Sequence, residues 1–168
     1  MNPKEIGKRA LEYDKYSGCS QSVLLALQEA YNIGDHMSFK AATTLSGGVA
    51  RRGETCGALL GGLLALGLVK GRDDITDTQA YRDAMAPANQ VVDGFKARLQ
   101  KEFGFRKPLE STICRDIQQH IYGRGFDLNK PEDYKAFLDA GGHGDHGCPK
   151  VCAVAAEVTA EKIQILLR

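Results

Sequence analysis

Apolar residues recur at helical spacing along most of the 168-residue chain, between glycine, proline and capping residues. Asn2 followed by Pro3 is typical of a helix start, and a second helix is predicted to begin at Cys19 and to end near Gly34. The apolar residues of that second helix are three or four positions apart: Val23, Leu24, Leu27 and Tyr31. No run of alternating β-branched residues predicts a strand. The pattern therefore indicates an all-α fold.

The middle of the chain predicts three further helices. A short helix is expected from about Ser38, and the glycines of segment 46–53 predict a loop before the next helix begins near Cys56. A long helix is expected over residues 76–103. Because proline lacks an N–H and clashes with the preceding turn, Pro87 predicts a kink or a break in that helix.

The last third of the chain predicts three shorter elements, which begin near Cys114, Pro131 and Cys148. Cys148 is expected to cap the final helix, with Pro149 in the first helical position. There is no internal repeat and no linker long enough to separate two domains. We therefore expect one domain, residues 1–168, built as a bundle of about six to eight helices.

Charge and hydrophobicity exclude two classes of partner. The chain has 22 basic and 21 acidic residues, so no broad positive field attracts nucleic acid. Its longest apolar run, residues 58–69, is interrupted by glycines and is shorter than the roughly 18 residues that a membrane span needs. The first residues lack the apolar segment of a secretory signal. We expect a cytoplasmic protein that neither binds nucleic acid nor spans a membrane.

Five cysteines are the residues most indicative of chemistry, and four of them lie at predicted helix starts: Cys19, Cys56, Cys114 and Cys148. A helix start offers unpaired N–H groups and the positive end of the helix dipole, which favour the thiolate. Such an environment lowers a cysteine pKa from about 8.5 to roughly 3.5–7.5. Cys152, by contrast, is expected to be a small core residue.

The residues alone leave three kinds of site open. Four thiolates from separate helices suit an iron–sulfur cluster or a tetrahedral zinc ion. Alternatively, Cys56 is a nucleophile in thiol–disulfide exchange, with Arg51 and Arg52 lowering its pKa. No Cys-x-x-Cys-His motif occurs, so covalent haem is not expected. His143 and His146 are expected to be solvated loop residues rather than metal ligands.

The cysteine pattern also resembles a known family. Cys19 at a helix start, the motif Cys56-Gly57-Ala58-x-x-Gly61 after a glycine-rich loop, and then Cys114 and Cys148 are similar to the redox-active family named for its C_GCAxxG_C_C pattern. The resemblance covers most of the chain and places the four family cysteines at these positions. It implies a redox role and, through related segments of split-Soret-type cytochromes, iron–sulfur ligation. The haem-attachment motifs of those cytochromes are absent here.

Together these observations predict a redox protein or oxidoreductase component. The expected activity is electron transfer through an iron–sulfur cluster bound by Cys19, Cys56, Cys114 and Cys148, with a redox partner protein that the sequence does not identify. The alternatives are thiol–disulfide exchange by Cys56 and a structural zinc site. The sequence leaves open the oligomeric state, a homodimer included, and the part played by Cys152.

Overall fold

The computed structural model describes all 168 residues and contains eight α-helices, one 3-10 helix and no β-sheet. The α-helices are α1 (Pro3–Asp14), α2 (Cys19–Tyr31), α3 (His36–Ala41), α4 (Gly57–Lys70), α5 (Thr78–Phe103), α6 (Cys114–Tyr122), α7 (Pro131–Asp139) and α8 (Cys148–Leu166). The 3-10 helix, Ala42–Leu45, follows α3 directly. The all-α class and the number of helices predicted from the sequence are confirmed.

Two local details differ from expectation. Of the kink or break predicted at Pro87, the break does not occur, because helix α5 continues through the proline. The reason is tertiary packing, because Pro87, Val91, Phe95 and Leu99 form one buried stripe that stabilises the helix despite the missing hydrogen bond. At the last helix, Gly147 rather than Cys148 is the N-cap, so Cys148 is the first helical residue.

Helix α8 lies at the centre of the bundle. It contacts α1, α2, α4 and α5, and most of its residues are buried on every side of the helix. Its sequence is rich in alanine and valine, which suits a helix that has neighbours all round. The main hydrophobic core is one cluster of 25 buried residues. A smaller aromatic cluster contains Phe126, Leu128 and Phe137.

Gly57, Gly61 and Ala65 form a stripe of small residues along α4 that packs closely against α2. A Cβ atom added at Gly61 would overlap the backbone of Ser20 in α2. A Cβ atom added at Gly57 would lie 2.5 Å from the sulfur of Cys19. Ala65, the third member of the stripe, is fully buried. The small residues of the stripe therefore let the two helices approach closely.

No helix of the structure is both long enough and apolar enough to cross a membrane.

Candidate functional site

All five cysteines line one cavity of about 60 Å³. Cys19, Cys114 and Cys148 are the first residues of α2, α6 and α8, and Cys56 is the N-cap of α4. Cys152 lies one turn further along α8. The cavity is several times larger than the roughly 10–15 Å³ that one water molecule needs. The structure therefore brings together the four cysteines predicted to form a site, and it adds the fifth.

A short antiparallel contact holds Cys56 beside Cys114. Thr55 and Ile113 form an isolated β-bridge. The Cys56 N–H donates to the carbonyl oxygen of Thr112 at 2.9 Å, and the Cys114 N–H donates to that of Glu54 at 2.6 Å. These bonds satisfy two N–H groups at helix starts, where intrahelical partners are missing. We call residues 53–56 and 112–115 the cysteine clip.

The glycine-rich loop forms an unusual left-handed turn beside the clip. Gly47, Gly48, Val49, Ala50 and Arg51 have φ angles of 66°, 71°, 56°, 52° and 61°. The left-handed region costs about 1–2 kcal/mol per non-glycine residue, and it is rarest for β-branched residues such as Val49. The side-chain amide of Asn129 donates to the carbonyl oxygens of Ala50 and Arg51 at 3.2 and 3.3 Å. This strained turn forms part of the cavity wall.

Glycine at position 48 is required by the close approach of this turn to the clip. A Cβ atom there would lie 2.6 Å from the Cβ of Cys114 and 2.6 Å from the backbone nitrogen of Glu54. Both distances are well below van der Waals contact. Gly48 therefore lets the backbone of the turn approach the clip more closely than a residue with a side chain could.

None of the five cysteines forms a disulfide. Cys56, Cys114 and Cys152 are buried, whereas Cys19 and Cys148 are partly exposed. The hydroxyl of Tyr122 accepts a hydrogen bond from the Cys148 N–H at 3.1 Å and donates to its sulfur at 3.6 Å. Tyr122 thus connects the cavity to the aromatic cluster, where it packs edge-on against Phe126 and Phe137.

Burial raises the pKa of every thiol in the cavity. It raises the pKa of Cys56 to about 11 and that of Cys19 to about 12, and the pKa values of the other three also lie well above 9.0. The N–H groups of Leu59 and Ala58 act in the opposite direction at Cys56, but desolvation outweighs them. This differs from the sequence-based expectation that Cys56 is an activated, accessible thiolate, because only 6% of the residue is exposed.

The two arginines expected beside Cys56 do not act on it as predicted. The guanidinium of Arg51 lies over the ring of Tyr134, 4.7 Å from its centroid. Arg52 is exposed, and its carbonyl oxygen accepts a hydrogen bond from Arg115 at 3.0 Å. Both arginines are close to Cys56 in sequence, but their positions in the turn direct their side chains to other partners or to solvent.

Asp14 and His143 also line the cavity, and sequence analysis did not predict this. Asp14 ends α1 and is fully buried, and its carboxylate lies 3.5 Å from Nδ1 of His143. Burial raises the pKa of Asp14, while His143 and Cys152 act to lower it. The sequence did contain a signal for the burial of Asp14. Ile6, Ala10 and Asp14 are four residues apart, so Asp14 lies at the end of the apolar face of α1. His146, in contrast, is exposed as expected.

The donor set suits a thiophilic metal group. Thiolate ligands favour zinc, copper(I) and iron–sulfur clusters. No three Cys, His, Asp or Glu side chains are placed to hold a single ion between them. The thiols instead line different parts of the cavity wall, where Gly57 packs against the sulfur of Cys19 and Gly48 packs against Cβ of Cys114.

Residues 17–162 match the protein family described as "Putative redox-active protein (C_GCAxxG_C_C)". The chain belongs to this family. The match includes all five cysteines of this C_GCAxxG_C_C protein and ends before the last residues of α8. The resemblance inferred from the cysteine pattern is thereby confirmed, and the family's description carries a redox role. No curated protein and no solved structure matches the chain.

Proposed function

We propose that this protein transfers electrons through an iron–sulfur cluster bound by Cys19, Cys56, Cys114 and Cys148. The observation that carries the proposal is that these four thiols come from four separate helix starts and line one cavity. Membership of a family described as redox-active supports the same reading. The electrons would be exchanged with a partner protein.

The spread of the thiols favours a cluster over a single zinc ion. Tetrahedral zinc binds each sulfur at about 2.3 Å, which requires the sulfurs to lie about 3.8 Å apart. No three donors have an arrangement of this kind. In a [4Fe–4S] cluster, each of the four thiolates binds a different iron atom, so the sulfurs are farther apart than around one zinc ion.

The burial of the thiols favours ligation over thiol–disulfide exchange. Exchange requires a thiolate as attacking group. With a pKa of about 11, Cys56 is almost entirely protonated near neutral pH when no metal is bound. A coordinating metal ion removes the thiol proton outright, so burial does not prevent ligation.

The bound cluster would supply one-electron redox chemistry, and the chain would hold it and tune its potential. The N–H groups of Leu59 and Ala58 act to lower the pKa of Cys56, and those of Gly47 and Ser20 act to lower the pKa of Cys19, so their dipoles favour negative charge on these two sulfurs. The hydroxyl of Tyr122 reaches Cys148. Hydrogen bonds to ligand sulfurs stabilise negative charge and raise the reduction potential.

The test is anaerobic reconstitution of the purified protein with ferrous iron and sulfide. We expect a brown protein with stoichiometric iron and acid-labile sulfide, and an electron paramagnetic resonance signal in one redox state. Separate serine variants of Cys19, Cys56, Cys114 and Cys148 should lose most of the bound iron. Cys152→Ala is the matched control and should retain it.

Three results would contradict the proposal. A colourless protein with rapidly alkylated thiols would favour exchange chemistry with Cys56 as the nucleophile. One tightly bound zinc ion whose removal unfolds the protein would favour a structural site. Loss of iron in Cys152→Ala with retention in Cys148→Ser would replace Cys148 by Cys152 in the ligand set.

A further inference from the structure

A carboxylate and an imidazole face each other on one wall of the cysteine cavity. The side chain of Asp14 is 1% exposed, that of His143 is 20% exposed, and the distance from Oδ2 to Nδ1 is 3.5 Å. This is the outer limit of a hydrogen bond, and neither carboxylate oxygen nor Nδ1 has a closer partner. An isolated buried carboxylate is costly. The pair therefore calls for an explanation beyond the stability of the fold.

The other groups around Asp14 do not neutralise it. Several titratable groups on the neighbouring elements interact with Asp14, so that the pKa of one depends on the charge of the other. They are the thiols of Cys19, Cys56, Cys148 and Cys152, the phenol of Tyr122 and the imidazole of His143. Lys15, the next residue on α1, pairs instead with Glu12 and Asp145 at 3.1 Å. Arg51 also lines the cavity, but its guanidinium is occupied over Tyr134.

Among these groups, only Asp14 and His143 are suited to exchange a proton. Thiolates that bind a metal are deprotonated by it. Burial raises the pKa values of Tyr122 and of Cys152, which is not a proposed ligand, so both groups keep their protons throughout the physiological range. Arginine remains charged in proteins. The groups that act to lower the pKa of Asp14 are His143 and Cys152, and neither belongs to the proposed ligand set.

An electron that enters this cavity adds negative charge where water is scarce. Charges interact more strongly in such a site than in water, so the added electron increases the affinity of a nearby group for a proton. His143 is partly exposed and belongs to the loop before α8, so it connects the buried carboxylate to solvent.

We propose that Asp14 and His143 together take up one proton when the four-cysteine site accepts one electron, and release it when the site is oxidised. The inference rests on the proposed electron-transfer function. The electron comes from an external one-electron donor and the proton comes from water. The proton is held between Oδ2 of Asp14 and Nδ1 of His143, and no other bond forms or breaks.

The test is the midpoint potential of the iron-loaded protein as a function of pH, with dithionite as reductant. One proton per electron lowers the potential by about 59 mV for each unit rise in pH. We expect this slope in the wild-type protein and a much shallower one in both Asp14→Asn and His143→Gln. His146→Gln is the matched control, because His146 lies exposed in the same loop, and its slope should equal that of the wild type.

The use of both Asp14→Asn and His143→Gln keeps the test valid if one of the two variants folds poorly. Circular dichroism shows whether each variant is folded. If iron binds but the wild-type potential does not change with pH, or both variants keep the full slope, the proton pair is overturned while the cluster stands. If no iron binds, the proposed cluster fails. The proton pair then fails with it, because the site has no one-electron acceptor. For the iron-loaded protein, infrared difference spectra between the ferricyanide-oxidised and dithionite-reduced states give a second measurement of the proton pair. A carboxyl band that changes with redox state and disappears in Asp14→Asn supports it, and the absence of such a band overturns it.

Discussion

The two halves of α4 differ in how closely their glycines are packed. In the first half, a Cβ atom on Gly61 would overlap the backbone of Ser20, and one on Gly62 would overlap the hydroxyl of Thr159. In the second half, a Cβ atom on Gly67 would have no neighbour within 4 Å, and the adjacent Leu68 is 42% exposed. The same residue type is thus required at one end of the helix and unconstrained at the other.

The closely packed half is also the half that begins at the cavity. Cys56 caps α4, and Gly57 follows it against the sulfur of Cys19. The distance between α2 and α4 therefore sets the distance between two of the proposed ligands. The comparison shows that the glycines near the site position the thiols, whereas Gly67 contributes only to the length of the helix.

Substitution of Gly61 should have the largest effect. We expect Gly61→Leu to destabilise the protein by more than the 1–3 kcal/mol typical of overpacking, because the obstacle is rigid backbone of α2. Gly67→Leu is the matched control and should be close to neutral. Urea unfolding of both variants measures the difference, and equal midpoints would show that the two halves of α4 do not differ.

High pH should destabilise the metal-free protein through the thiols at the site end. Folding raises the pKa of Cys56 to about 11 and of Cys19 to about 12 from 9.0, so the folded state binds these protons more tightly than the unfolded chain. Stability is fully present below about pH 9 and is lost as the pH rises through the folded-state values. Urea unfolding between about pH 8 and pH 11 should show this decline, with a shallower slope when both cysteines are serine. A flat wild-type profile would refute the burial argument.

The left-handed turn permits a matched pair of glycine substitutions. Gly48 and Gly104 both have positive φ, but only a Cβ atom on Gly48 would meet other atoms, namely Cys114 and Glu54. We expect Gly104→Ala to cost about 1–2 kcal/mol for backbone strain alone. Gly48→Ala should cost more and should also reduce iron binding. If thermal unfolding showed the same loss of stability in both variants, and Gly48→Ala still bound iron, a positioning role for Gly48 would be excluded.

The smallest expected effect is a gain in stability on substitution of Gly67. Gly67→Ala places a methyl group in open space within a helix, so it should raise the free energy of unfolding by about 0.5–1 kcal/mol through helix propensity. Gly61→Ala gains the same propensity but meets Ser20, so its stability should fall instead. If both variants were stabilised, the contact between α2 and α4 would be softer than the structure indicates.

Most of the fold was predictable because its signals are local. Helix starts follow from caps such as Asn2 and from the positions of proline and glycine, which act within one turn of the chain. Pro87 was harder to interpret, because a buried stripe formed with distant helices keeps α5 continuous. Tertiary packing of this kind is not encoded in the neighbouring residues.

The candidate site was predictable in its cysteines but not in its environment. Helix starts and the family motif pointed to Cys19, Cys56, Cys114 and Cys148. The burial that raises their pKa values depends on how the helices assemble, and so does the meeting of Asp14 with His143. Ala50 and Arg51 gave no sign of a left-handed turn either, since Asn129, far along the chain, accounts for contacts to their carbonyl oxygens.

The cysteine clip has a consequence for the order of folding. The chain between Cys56 and Cys114 includes all of α5, so forming the clip closes a long loop, and the entropy lost on closure must be recovered by later contacts. Helices α1, α2, α4 and α8 pack against one another and supply much of the main hydrophobic core. We therefore expect these four helices to assemble first and the loop to close last. The cavity would then stay open on the Cys114 side until late in folding, which would give the proposed iron–sulfur cluster a route to its ligands.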